Sequence, residues 1–157
     1  MPDLVKGIVA GTAATLVVSG LMLLERVLGI TPQLGLIQLL LRAIGAPDSN
    51  RALGWLVHVI AGTVVAGPLF AWLEPRLQAD SATKRGVLFG VILWLLFMLV
   101  IMPAAGAGLF GFEISELAPL VLLVLHLAYG VVLGWSFGKL REQGRAVLRC
   151  GVRAQRS

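Results

Sequence analysis

Two histidines, His58 and His126, are the only ionisable residues set deep inside stretches that otherwise carry no charge. Each is followed one helical turn later by a glycine, Gly62 and Gly130. An ionisable group in such a place marks a candidate site, because its charged form is costly in hydrocarbon and its neutral form still needs a partner. Two neutral imidazoles on facing helices can ligate the iron of a b-type haem, while a glycine one turn away leaves room for the flat macrocycle. Arg26 or Arg51, at the ends of neighbouring apolar stretches, would then pair with the propionates. Two other roles use the same rings. A ring N–H bonded to a carbonyl or hydroxyl of the next helix fixes helix rotation, and an imidazole open to a cavity handles protons or a quinone. These alternatives stay open on sequence grounds.

Other side chains offer less. A copper or zinc site wants a third or fourth ligand, and Met98, Met102, Glu113 and Glu116 follow no recognised ligand spacing. Glu25 either lies in the interface beside Arg26 or turns inward as a proton acceptor near the histidines. Cys150 is the single cysteine, so no disulfide forms within the monomer. No nucleophile elbow, HExxH or phosphate-binding loop occurs, and Ser19 has no positioned base. The chain is expected not to be an enzyme. A small transporter is the remaining alternative, although four short spans leave little room for a substrate cavity.

The elements that must carry the histidines follow from composition. Of 157 residues, 58% are hydrophobic and 13% charged, and the apolar residues form long blocks rather than stripes. Four blocks, 7–24, 52–73, 86–112 and 117–138, are uncharged over about the 18 or more residues that crossing a bilayer requires, giving expected spans over about 7–28, 52–73, 86–102 and 117–138. The fold class expected is therefore all-α: a four-helix transmembrane bundle over residues 1–138, with a basic tail over 139–157. Pro103 and the run Gly106, Gly108, Gly111 end the third span near Met102. The first block lacks a small-x-small cleavage site and is expected to stay in the mature chain. Between the first two spans, residues 33–45 are amphipathic and too short to cross. They read as a short interfacial helix in the headgroup plane, opened by Thr31-Pro32 and closed by Gly45-Ala46-Pro47.

The formal net charge of +5 sits between and after the spans, which points to topology and lipid contact rather than nucleic acid. Lys6, Arg76, Lys84, Arg85, Lys139, Arg141, Arg145 and Arg149 fall on one side, and Arg26, Arg42 and Arg51 on the other. Both termini are accordingly expected in the cytoplasm, with the chain multi-pass in the cytoplasmic (inner) membrane. Lys139, Arg141, Arg145 and Arg149 form a tail expected to face lipid headgroups.

A parallel two-span repeat is also expected. Gly7 and Gly11 recur as Gly86 and Gly90, and His58 and Gly62 recur as His126 and Gly130, at an offset shorter by about the length of the amphipathic segment. With two spans in each half, the pseudo-axis would run along the membrane normal. Gly7, Gly11, Gly62, Gly86, Gly90, Gly130 and Gly134 are expected at helix-packing faces, since helices in lipid gain from close approach rather than from hiding apolar surface. Such faces would serve packing within the bundle, a homo-oligomer, or docking to a larger membrane complex.

The segments KGIVAG at Lys6, GWLVHVIAG at Gly54, KRGVLFG at Lys84, MPAAGAGLFG at Met102 and HLAYGVVLG at His126, taken in order, resemble a family of small four-span prokaryotic membrane proteins known only as a domain of unknown function. The resemblance reaches to about Lys139. It implies a four-helix fold in the membrane and brings no substrate, cofactor or functional residue with it.

Overall fold

The computed structural model describes residues 2–30 and 35–154, with side chains described as far as residue 144. Four long apolar helices run over Asp3–Leu28 (span 1), Arg51–Arg76 (span 2), Ala82–Ala104 (span 3) and Ala118–Gly144 (span 4). The described residues contain no strand. Most of each span is open at its outer face, where Leu16, Val64, Leu99 and Val124 are exposed, as lipid-facing positions should be. Span 3 runs two residues past Met102, to Ala104. The helix of span 4 continues without a break to Ala154, so the basic tail starts as helix.

The start of span 1, the end of span 4 and the 77–81 turn lie at one end of the bundle, here the terminal end. The described part of the connection between spans 1 and 2, residues 35–50, and the 105–117 loop lie at the other, the loop end. In the loop, Gly108 and Gly111 adopt φ of 71° and 74°, which side chains disfavour, and this accounts for the glycine run there.

Glycine sets the helix crossings. A methyl added at Gly7 would strike the Gly67 backbone, and one at Gly11 the carbonyl of Gly62. In the second half, Gly86 lies against Gly130 and Gly134, and Gly90 against the carbonyl of His126. Span 1 thus packs on span 2, span 3 on span 4, and span 1 also packs along span 4. The two halves pair alike but are not equivalent. In the second half the contacts fall about one turn earlier than the histidine-to-histidine offset requires, and the close packing of spans 1 and 4 has no counterpart between spans 2 and 3.

Two departures from regular helix help to explain the asymmetry. Span 2 widens to π-helix over Ala61–Ala66, just before Gly67-Pro68, and span 3 does so over Phe97–Ile101, just before Pro103. A proline ring collides with the carbonyl four residues back in a regular helix, and a wider turn relieves that collision. The short helix between spans 1 and 2 covers Leu36–Ala43, opens at Gly35 and closes through Ile44 and Gly45. Its proposed opening at Thr31-Pro32 lies outside the described residues. Leu36, Ile37, Leu39 and Leu41 are buried, with Ile37 seated on Gly54. The apolar face therefore packs on the bundle, touching span 2 and the loop end of span 3, rather than resting on lipid alone.

Candidate functional site

Spans 2 and 3 meet chiefly at the terminal end, where Phe70 of span 2 and Phe89 of span 3 join Phe137 of span 4 with ring centroids 5.4 Å apart in each contact to Phe70. Above this buried aromatic floor the two spans separate, and the short helix roofs the gap from Leu36 and Leu40. The result is a cleft with a cavity volume of about 210 Å³, backed by Thr15, Val18 and Met22 of span 1 and by Leu122, Leu125 and Tyr129 of span 4. Ala61 and Leu96 border it and are exposed, so the cleft opens sideways between spans 2 and 3, toward the lipid-facing surface. Both π-helical segments contribute to its walls, through Ala61, Gly62 and Ala66 on one side and Phe97 and Ile101 on the other.

His58 and His126 both line this cleft. His58 lies seven residues from the loop end of span 2 and His126 eight from that of span 4, depths of roughly 10 and 12 Å at 1.5 Å per residue. Their bonding differs. His126 Nδ1 lies 2.7 Å from the carbonyl of Leu122, and a carbonyl can only accept, so Nδ1 carries the proton. In the neutral ring Nε2 then holds the lone pair. No hydrogen bond among the described residues engages it, and it is not sealed from the cleft. His58 Nε2 lies 3.2 Å from Ser19 Oγ, a bond that ties span 2 to span 1. Trp55 meets the His58 ring edge-on at 5.7 Å, and Phe97 the His126 ring at 5.6 Å. Tyr129 donates its hydroxyl to the Gly62 carbonyl at 2.6 Å, linking span 4 to the π-helical turn of span 2. Ser19, read from the sequence as lacking a positioned base, has His58 of another span within hydrogen-bond reach of its hydroxyl, a partner that spacing along the chain does not reveal; Tyr129 was not singled out by sequence, and only its helical spacing from His126 could have placed it on the same face.

The arrangement fits a bis-histidine haem only in part. His126 Nε2 is ready to act as a ligand, whereas His58 Nε2 is held by Ser19 and would have to leave it. A metal site from Met98, Met102, Glu113 and Glu116 does not form. The two methionines are sealed in the core and the two glutamates are exposed in the loop, and no three His, Cys, Asp or Glu gather as ligands among the described residues.

A family model matches residues 1–147, and it describes a family of unknown function, DUF6789. The chain belongs to this family. No curated protein and no solved structure matches it.

A second cavity of about 220 Å³ opens at the loop end between Glu25, Arg26, Gln38, Arg51 and Trp55, and it shares Met22 and Leu36 with the cleft. At the terminal end lies a group that sequence reading missed. Glu74 is 2% exposed and accepts from Arg85 at 2.6 Å and from Arg141 at 2.7 Å. Arg141 was expected in a lipid-facing tail. It turns inward instead, because Glu74 at the end of span 2 would otherwise be a buried carboxylate with one partner fewer. Lys139 stays exposed beside Glu142, and the side chains of Arg145 and Arg149 lie outside the described residues.

Proposed function

We propose that the chain is a non-enzymatic component of the cytoplasmic membrane that holds an apolar ligand drawn from the bilayer in the cleft between spans 2 and 3. Both termini lie in the cytoplasm, a reading supported by the excess of lysine and arginine at the terminal end. The observation that carries the function is that both intramembrane histidines border one laterally open, largely apolar cleft, with a lone pair of His126 left unengaged. Apolar walls with a few convergent polar groups are the usual make-up of a small-molecule site. Any self-association or docking to a larger membrane complex uses the lipid-facing sides, since the glycine faces are consumed in crossings within the chain.

A second reading, haem, draws on Arg26 and Arg51, which line a cavity that shares Met22 and Leu36 with the histidine cleft. One sample separates the two. Protein purified in mild detergent is analysed by native mass spectrometry and by absorption, oxidised and reduced. A bound apolar mass that is retained by the native chain and lost in His126→Leu, without a Soret band, supports the proposal. A Soret band lost in both His58→Ala and His126→Ala transfers the site to haem, and a ligand-free, well-folded native chain contradicts both readings.

A further inference from the structure

The loop-end cavity supplies what an apolar cleft alone lacks, a way to choose one end of its ligand. Arg26 closes span 1 and Arg51 opens span 2, and both line this cavity. Neither makes an ion pair or side-chain hydrogen bond among the described residues. The third arginine at this end, Arg42, is by contrast neutralised by Asp48 at 2.9 Å. Glu25 lines the same cavity, so two guanidiniums face one carboxylate and the cavity keeps a net positive charge. Guanidinium groups in such a place favour a carboxylate or phosphate, which they can grip with paired N–H donors.

The loop-end cavity adjoins the cleft at Met22 and Leu36, and two helix faces run from one to the other. Arg51, Trp55, His58 and Gly62 follow one another at helical spacing down span 2, and Arg26, Met22, Ser19 and Thr15 do so down span 1. A chain running from Arg51 past His58 to Ala66 would span roughly 22 Å, the scale of a long acyl or prenyl tail. Resting on the reading of the cleft given above, we propose that the ligand is a single-chain anionic amphiphile, its carboxylate or phosphate held by Arg26 and Arg51 and its tail laid in the cleft beside the histidines. The charge at the mouth selects the head, the apolar walls accept any tail of suitable length, and the lateral opening admits it without a passage through water.

The test uses the full chain in nanodiscs of phosphatidylcholine. Trp55 lines the loop-end cavity and touches His58, so quenching that disappears in Trp55→Phe reports a brominated chain in this position. Dibromostearic acid, its methyl ester and a dibrominated lysophosphatidate are compared. The proposal expects the acid, the lysophosphatidate or both to quench, the ester to bind about tenfold or more weaker, and Arg26→Gln with Arg51→Gln to bring the anion down to the ester's level. Which anion binds better identifies the head as carboxylate or phosphate. Acid and ester binding equally, with no effect of the arginine pair but a loss in His126→Leu, overturns the anionic head and leaves the cleft reading standing. No quenching by any of the three overturns both.

Discussion

Glu74 holds three spans together at the terminal end, yet nothing in its neighbourhood along the chain announces it. It precedes Pro75 and Arg76 at a span boundary, where charges are ordinary, and its partners Arg85 and Arg141 stand on two other spans. Arg85 is fixed further by donating from Nε to the Ala79 carbonyl at 2.9 Å. Removing the carboxylate leaves two part-buried guanidiniums without their anion, whereas removing either arginine leaves Glu74 with the other. Glu74→Gln is therefore expected to cost about 3 kcal/mol, and Arg85→Gln or Arg141→Gln clearly less. Thermal unfolding of the three variants in one detergent checks this ordering, and equal midpoints would refute it. The histidines, by contrast, were legible from sequence, because an ionisable residue inside an uncharged stretch stands out without any knowledge of the fold. Their unlike roles were not legible. The Leu122 carbonyl that orients His126 is local, but the Ser19 hydroxyl that engages His58 comes from another span.

Among the elements, the four spans were legible because bilayer thickness sets a length that no soluble helix need obey. The glycine positions at the crossings were legible as well, since they recur one turn apart on single faces. Their consequence differs from site to site. A methyl at Gly86 would press on the Gly130 carbonyl and the Gly134 backbone, while one at Gly20 would meet nothing within 4 Å. Gly86→Ala should destabilise the chain by about 1–3 kcal/mol and Gly20→Ala should leave it unchanged or slightly firmer. Unfolding of the two variants side by side measures the contrast, and equal effects would mean that the crossing of spans 3 and 4 is looser than described. The π-helical turns were not legible. Pro103 read as a stop, when a widened turn before it lets span 3 continue to Ala104, and the same device at Pro68 leaves span 2 intact. The short helix was expected in the headgroup plane from its amphipathic pattern. That pattern shows only that one face is apolar, and the bundle covers that face through contacts such as Ile37 on Gly54.

At the scale of the whole molecule, the internal similarity of the two halves predicts a more symmetric bundle than the one observed. Spans 1 and 4 pack along each other, and spans 2 and 3 part above the Phe70, Phe89 and Phe137 floor. The cleft arises from this inequality, so no inspection of either half alone would disclose it. Span 4 then presents two distinct faces to apolar molecules: Leu122 and Leu125 line the cleft and are buried within the bundle, whereas Leu120, Val124 and Val131 look outward and are exposed. Photolabelling of the membrane-embedded protein with a diazirine-bearing acyl chain, followed by mapping of the modified residues in span 4, separates these faces directly. Labels are expected at Leu122 and Leu125 as well as on the outer face, with the inner labels suppressed by an excess of unlabelled ligand. Labels confined to Leu120, Val124 and Val131 would mean that nothing from the bilayer enters the cleft.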